Sequence, residues 1–388
     1  MKILKLWKNL SISILLLIIL LLSYPAFAFE VEAETALLME VETGQVLFSK
    51  NAHDGLPPAS MTKIMTMLLT MEALEEGYID LEEEVVTSRR AASKGGSQIY
   101  LSAGERMPVQ TLLEAVAIAS ANDATVALSE HVAGSKEEFV RMMNRRAEQL
   151  GMNNTKFVNT TGLPVVGGNH YASAYDIALM SRELILNYPE VLDWTAIWMD
   201  EIRDGEFILY NTNKLLRRYP GVDGLKTGWT TEAGYSLAAT ATRDGRRLIS
   251  VIMKTDSEEE RLEESAKLLN YGFRRFNVED IVSKGELVGE VEVQEGKQPV
   301  VNLETANDLR RSVLVGSRDE IEREIVVDEN ITAPVEKGKV LGELILSNQN
   351  EELGRVELVA AEEVEQLGFL ARLLRRAREL ILGFLGRI

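Results

Sequence analysis

Pro57-Pro58-Ala59-Ser60-Met61-Thr62-Lys63 opens a helical pattern that runs over residues 61–76. Ser60 thus falls at a helix start, with Lys63 three residues on, one turn away on the same face. A hydroxyl placed there has an amine within reach to take its proton, and helix-terminal N–H groups favour a developing oxyanion. For Lys63 to act as that base it must be partly neutral, so burial or a nearby cation must lower its pKa. Taken alone, Ser60 reads equally well as a plain N-cap.

The segments on either side of this stretch set the fold class. Residues 35–41 and 45–50, joined by Glu42-Thr43-Gly44, read as a β-hairpin. Residues 109–132 carry a long helical pattern, and further helices are expected at 137–150 and 174–186. Strand-like runs return at 233–241 and 247–254. Strands first, helices in the middle and strands last predict an α/β domain over 29–280 whose sheet joins both ends of the segment. After Phe276 the texture changes to short alternating runs at 287–293, 299–303, 311–315, 321–327, 340–346 and 355–359. These predict a small all-β domain over 281–368, which carries no obvious nucleophile cluster and reads as a spacer.

Two more short words carry chemistry. Ser120-Ala121-Asn122 lies in a run of small residues suited to a cleft wall, where Ser120 could relay a proton and Asn122 could bind a substrate amide. By itself it reads as a loop or a helix kink. Lys226-Thr227-Gly228, followed by Trp229, suits an edge strand: the glycine lets backbone approach a ligand, while lysine and threonine bind its carboxylate. Alone it would read as a charged strand end.

Composition narrows the function. The 388 residues are 46% hydrophobic and 26% charged, which excludes a disordered chain. There are no cysteines, so disulfides, thiolate metal sites and a cysteine nucleophile are excluded. His53, His131 and His170 lie too far apart in sequence to match a zinc spacing. A net charge of −18 argues against a nucleic-acid partner. That charge hides two cationic, apolar ends. Residues 1–28 hold Lys2, Lys5 and Lys8 ahead of an apolar run at 10–22, then Pro25-Ala26-Phe27-Ala28, as a cleaved secretory signal peptide does. Residues 369–388 place Leu370, Leu373, Leu374, Leu380, Ile381 and Phe384 on one helical face and Arg372, Arg375, Arg376 and Arg387 on the other. This amphipathic helix suits a membrane surface, with its arginines toward anionic head groups; packing on another protein is the alternative.

The three words occur in the order Ser-x-x-Lys, Ser-x-Asn, Lys-Thr-Gly, which matches the known signature of the penicillin-recognising serine enzymes. The chain resembles the low-molecular-mass penicillin-binding proteins that are D-alanyl-D-alanine carboxypeptidases. Asn159-Thr160-Thr161-Gly162-Leu163 and the run from Lys226-Thr227-Gly228-Trp229 to Tyr235 match as well. The resemblance implies a β-lactamase/transpeptidase-like domain, with an antiparallel sheet flanked by helices, followed by the small β domain and the C-terminal anchor.

The resemblance also implies an acyl transfer. Ser60 attacks the carbonyl of the penultimate D-alanine in a peptidoglycan stem pentapeptide, the terminal D-alanine leaves, and water releases the stem. Lys63 is then the general base. Ser120 and Lys226 move protons and hold the terminal carboxylate, and Asn122 and Thr227 align the peptide. The N–H groups of Ser60 and Trp229 form the oxyanion hole, and Arg261 pairs with the carboxylate. His170 and Asp176 flank the cleft, catalytically or as structural hydrogen-bond partners. Trp229 departs from relatives that have histidine at that position. No metal or organic cofactor is needed, and β-lactams trap the same serine. The protein is expected outside the cytoplasmic membrane, attached through 369–388. Three alternatives remain at this point: an endopeptidase acting on cross-links, an idle peptidoglycan-binding membrane protein, and a class A β-lactamase. The last needs a glutamate in a Glu-x-x-Leu-Asn word. Glu183-Leu184-Ile185-Leu186-Asn187 offers one, but it continues a helix pattern and reads as a decoy.

Overall fold

A computed structural model describes residues 29–165, 167–348 and 351–375. The signal peptide expected at 1–28 lies outside the described residues, as does 376–388 of the cationic helix.

In chain order the strands are β1 (Thr35–Glu40), β2 (Val46–Lys50), β3 (Glu84–Val86), β4 (Arg106–Pro108), β5 (Met199–Ile202), β6 (Phe207–Tyr210), β7 (Val222–Thr230), β8 (Gly234–Arg243) and β9 (Arg246–Thr255). After these come β10 (Phe276–Val282), β11 (Leu287–Glu292), β12 (Val300–Thr305), β13 (Leu309–Leu314), β14 (Ile321–Val327), β15 (Val340–Asn348) and β16 (Glu351–Ala360). The helices are α1 (Lys63–Glu75), α2 (Arg89–Ala92), α3 (Val109–Ile118), α4 (Asn122–Ala133), α5 (Lys136–Gln149), α6 (Ala174–Asn187), α7 (Val191–Thr195) and α8 (Glu258–Arg275).

The main sheet has the order β2-β1-β9-β8-β7 and is antiparallel throughout. The first hairpin therefore pairs with the last strands, as expected from strands lying at both ends of the segment. Every residue of β1 is buried, because both faces of the sheet are covered. Leu37 and Met39 join Ile249 and Val251 in the core that also holds Met65, Leu68, Leu112, Leu128 and Ile177 from the helical side. The opposite face is covered by α8, which packs on β8 and β9. Hydrophobic periodicity does not reveal that helix, because nine charged residues among its eighteen obscure the stripe of Leu262, Leu268, Leu269 and Phe273 that it buries.

α8 runs straight into β10, so the all-β part begins at Phe276, and the boundary expected at 280 falls inside a strand. β10 pairs with β13, and a five-stranded sheet of order β11-β12-β16-β15-β14 builds its own core around Val301, Leu303, Leu344, Leu346, Val356 and Leu358. The side-chain amide of Gln45, in the β1–β2 turn, grips the β13 edge: its Nε2 donates to the Ser312 carbonyl (3.0 Å) and its Oε1 accepts the Ser312 N–H (2.8 Å). Arg310 pairs with Glu42 in the same turn.

Residues 369–375 are helical. The orientation differs from expectation in this part. Arg372 bonds Glu295 (3.2 Å) and Arg375 bonds the Gly296 carbonyl (3.4 Å), so these arginines face the β domain. Phe369, Leu370, Leu373 and Leu374 are left exposed. Among the described residues no helix is long and apolar enough to cross a membrane.

Candidate active site

Ser60 sits in a short 3₁₀ turn, Ala59–Thr62, that leads into α1. Ala59 enters it at φ +45°, a left-handed value that a side-chain-bearing residue rarely adopts. The turn is wedged between two close approaches. A Cβ on Gly228 of β7 would meet the Pro58 carbonyl oxygen at 2.9 Å, so this glycine lets the strand press against the turn. Among the described residues, the backbone that this glycine admits is that of the Ser60 turn. On the other side, a Cβ on Gly162 (φ +80°) would lie 1.7 Å from the Ala59 carbonyl oxygen.

The helical pattern over 109–132 breaks in the middle. α3 ends at Ile118, Ser120 takes φ +60°, Ala121 is extended, and α4 begins at Asn122. The residues of the break are small and compatible with a helix, so hydrophobic periodicity runs through it unaltered. The break turns the Ser120 hydroxyl toward Lys63.

Lys63 is fully buried at the meeting point of these pieces. Its Nζ lies 2.9 Å from Ser60 Oγ, 3.3 Å from Ser120 Oγ and 3.2 Å from the Thr161 carbonyl oxygen. Burial, and then the charge of Lys226, hold its pKa well below the usual lysine value, against the opposing pull of Asp123. A neutral amine has two N–H donors and one lone pair. The donors suit the Thr161 carbonyl and Ser120, and the lone pair faces the Ser60 proton at the shortest of the three distances.

The Thr161 carbonyl is the part that sequence reasoning missed. Asn159 builds the loop that presents it. Its Oδ1 accepts from the N–H of Thr161 (3.0 Å) and of Gly162 (2.7 Å), while its Nδ2 donates to the Leu163 carbonyl (2.8 Å). The signal was in Asn159-Thr160-Thr161-Gly162: an Asx turn closed by a glycine.

β7 forms the edge of the sheet and the facing wall, as expected for Lys226-Thr227-Gly228. Lys226 is buried, and its Nζ donates to the Thr227 carbonyl (3.2 Å), with no carboxylate partner among the described residues. Burial, with a smaller push from the Arg261 charge, lowers its pKa to about 7. Arg261, on α8, lies behind the strand, where Nη1 donates to the Gly228 (3.4 Å) and Ser236 (3.5 Å) carbonyls and Nη2 to Glu258 (3.0 Å). The Thr227 hydroxyl donates to Thr212 Oγ1 (2.8 Å). Trp229 is largely exposed at the rim, 5.9 Å from the Tyr235 ring. Asn122 donates through Nδ2 to the Gly95 carbonyl (2.7 Å); its buried Oδ1 has no hydrogen-bond partner among the described residues. Lys226, a buried cation without a carboxylate beside it, and an idle amide oxygen suit a ligand with an anionic end and an N–H.

His170 is one step back. Its Nδ1 accepts the Val158 N–H (3.1 Å), so its Nε2 carries the proton and donates to Thr62 Oγ1 (2.8 Å). Burial lowers its pKa to about 4, which keeps the ring neutral. Asp176 accepts from Asn154 N–H and Thr155 Oγ1 (both 2.8 Å) at the start of α6, and both residues hold the segment in place. Glu183 is tied to Arg146 (2.5 Å), which also holds Glu72 (2.6 Å), so it is a structural ion pair and not a deacylating base. Among the described residues no cluster of metal-ligating side chains occurs.

The family described as D-alanyl-D-alanine carboxypeptidase matches residues 23–257, well over half of the chain. The chain belongs to this carboxypeptidase family. The C-terminal domain of penicillin-binding protein 5 matches residues 276–366. The D-alanyl-D-alanine carboxypeptidase DacF of Bacillus subtilis is 43% identical over 348 residues, 89% of each chain. The crystal structure of penicillin-binding protein 5 from Haemophilus influenzae superposes with a TM-score of 0.77 at 31% identity, covering 87% of this chain and 98% of that one. Penicillin-binding protein D2 from Listeria monocytogenes, in its ampicillin-bound form, shares 34% identity at a TM-score of 0.59 over 64% of this chain and all of that one. The chain is thus a serine peptidase of the penicillin-binding class with carboxypeptidase activity, and the β-lactamase and idle-scaffold alternatives are not favoured.

Proposed function

We propose that Ser60, Lys63 and Ser120 carry out the D-alanyl-D-alanine carboxypeptidase reaction on peptidoglycan stem pentapeptides. The observation that carries this reading is the single buried amine within hydrogen-bond reach of both serines. Lys63 takes the Ser60 proton as Oγ attacks the penultimate D-alanine carbonyl. Ser120, bonded to the same amine, hands a proton to the leaving terminal D-alanine. The N–H groups of Ser60 and Trp229 receive the oxyanion. Lys226, backed by Arg261, takes the terminal carboxylate, and Asn122 Oδ1 takes a peptide N–H. Thr227 and Gly228 line the same strand, and His170 is a positioning residue that steadies the Ser60 turn through Thr62. Water then releases the stem from Ser60.

The test is mass spectrometry of the intact protein after mixing with a β-lactam, and separately with a pentapeptide ending in D-Ala-D-Ala. Expected results are a stoichiometric adduct on the peptide that contains Ser60, and a tetrapeptide product with one D-alanine released. An adduct elsewhere, or no D-alanine, sinks the assignment.

A finer reading concerns location. We infer that the chain is exported by way of 1–28 and held on the outer face of the cytoplasmic membrane by 369–388. Support comes from the exposed Phe369, Leu370, Leu373 and Leu374 on a short helix whose visible arginines are already engaged by the β domain. Removing 369–388 should leave D-alanine release unchanged and abolish sedimentation with anionic lipid vesicles. A truncated protein that still sediments sinks this reading.

A further inference from the structure

Tyr100 adopts a costly backbone conformation beside the site, and no step above uses it. Its φ is +58°, in the left-handed region that bulky residues avoid, yet the residue is 67% exposed, so burial does not offset the strain. The conformation is imposed by Asp123, the residue after Asn122. That buried carboxylate accepts from the N–H of Ile99 (3.1 Å) and of Leu101 (3.0 Å), gripping the chain on both sides of Tyr100. The Ile99 carbonyl is held in turn by Arg203 Nη1 (2.8 Å), and Arg203 lies over the Phe207 ring at 5.8 Å. Phe207 meets the Tyr100 ring edge-on at 6.0 Å. Strain maintained this thoroughly for an exposed side chain points to function.

The location says which function. The loop that leads to Tyr100 is stitched to the Ser120–Asn122 wall, since the Ser97 carbonyl accepts the Asn122 N–H (2.7 Å) and the Gly95 carbonyl accepts its Nδ2 (2.7 Å). Phe207 opens β6, and the chain after β6 reaches Thr212, the partner of Thr227 on the opposite wall. The Tyr100–Phe207 contact therefore joins the two walls. With the terminal carboxylate on Lys226, as in the carboxypeptidase reading, the part that passes Asn122 and reaches Tyr100 is the part upstream of the scissile bond.

Resting on the carboxypeptidase reading above, we propose that Tyr100 is a specificity-determining residue whose ring packs on the aliphatic part of the stem peptide upstream of the two D-alanines. Its position, fixed by Asp123, makes the enzyme respond to the length and apolar character of the acyl donor.

The experiment compares D-alanine release from a stem pentapeptide and from N-acetyl-D-Ala-D-Ala, for the wild type, Tyr100→Gly and Tyr100→Phe. Glycine tolerates φ +58°, so Tyr100→Gly removes the ring without a backbone penalty, and its melting temperature should not fall. For the pentapeptide its kcat/KM should drop about tenfold, mainly through KM, as loss of one aromatic contact implies. For the short substrate it should change less than about twofold, and Tyr100→Phe should match the wild type on both. Equal losses on both substrates, no loss on either, or a Tyr100→Phe variant as impaired as Tyr100→Gly would overturn the proposal. A wild type that releases D-alanine from neither substrate overturns the carboxypeptidase reading and this one with it.

Discussion

Lys63→Met should lower the second-order rate of acylation by penicillin about 10²–10⁴-fold, the range contributed by a positioned proton acceptor, while the protein stays folded. Methionine is unbranched, a good helix former and apolar, so it can occupy the buried path of the lysine stem. What it lacks is the lone pair 2.9 Å from Ser60 Oγ. The pH dependence gives an independent reading. Lys63 works only when neutral, and burial, then the Lys226 charge, hold its pKa well below the usual lysine value. Wild-type kcat/KM should therefore climb from the acid side as Lys63 deprotonates. On the alkaline side it should fall as Lys226, at about 7 in the free enzyme, loses the charge that attracts the terminal carboxylate. The residual acylation of Lys63→Met should lack the rising limb and keep the falling one. A folded Lys63→Met protein acylated at the wild-type rate would remove Lys63 from the mechanism, and a rising limb that survives the substitution would assign the base to another group.

The pairing of Lys63 with Ser60 was legible in the sequence because residues three apart on a helix must share a face. The helix itself begins only at Lys63, and Ser60 sits in a 3₁₀ turn, yet the side chains still meet. The closure of the sheet by β1 and β9 was legible too, from apolar strands at the two ends of the segment. Other features were not, for definite reasons. The left-handed backbone of Ser120 is invisible to periodicity, because Ala119-Ser120-Ala121 suits a helix as well as a break. The Thr161 carbonyl carries no side-chain signal, since backbone groups look alike in any sequence. The role of Gly228 depends on the Pro58 carbonyl, some 170 positions away in the chain, a contact that only the folded β7 creates. The site is thus three local words whose geometry is set by non-local packing, which explains why residue types were recoverable and backbone roles were not.

Gly162→Ala tests that packing where it is tightest. The added methyl would sit 1.7 Å from the Ala59 carbonyl oxygen and 2.3 Å from its carbon, so backbone on one side must move. The residue would also hold φ +80°, which costs a side-chain-bearing residue roughly 1–2 kcal/mol. With overpacking of about 1–3 kcal/mol added, the expected loss is about 2–5 kcal/mol of stability. At roughly 2–4 °C per kcal/mol for a domain of this size, the melting temperature should fall by at least about 4 °C. Gly151→Ala is the matched control: φ is +72°, but nothing lies within 4 Å of the added methyl, so only the conformational cost of roughly 1–2 kcal/mol applies. The two variants should also separate in chemistry. In protein kept folded at low temperature, Gly162→Ala should acylate at least about tenfold more slowly than Gly151→Ala, because the clash displaces either the Ser60 turn or the Thr161 carbonyl that steadies Lys63, and small misplacements of reacting groups are costly. Equal melting temperatures and equal acylation rates for the two variants would show that the approach of residue 162 to Ala59 does not hold the nucleophile in place.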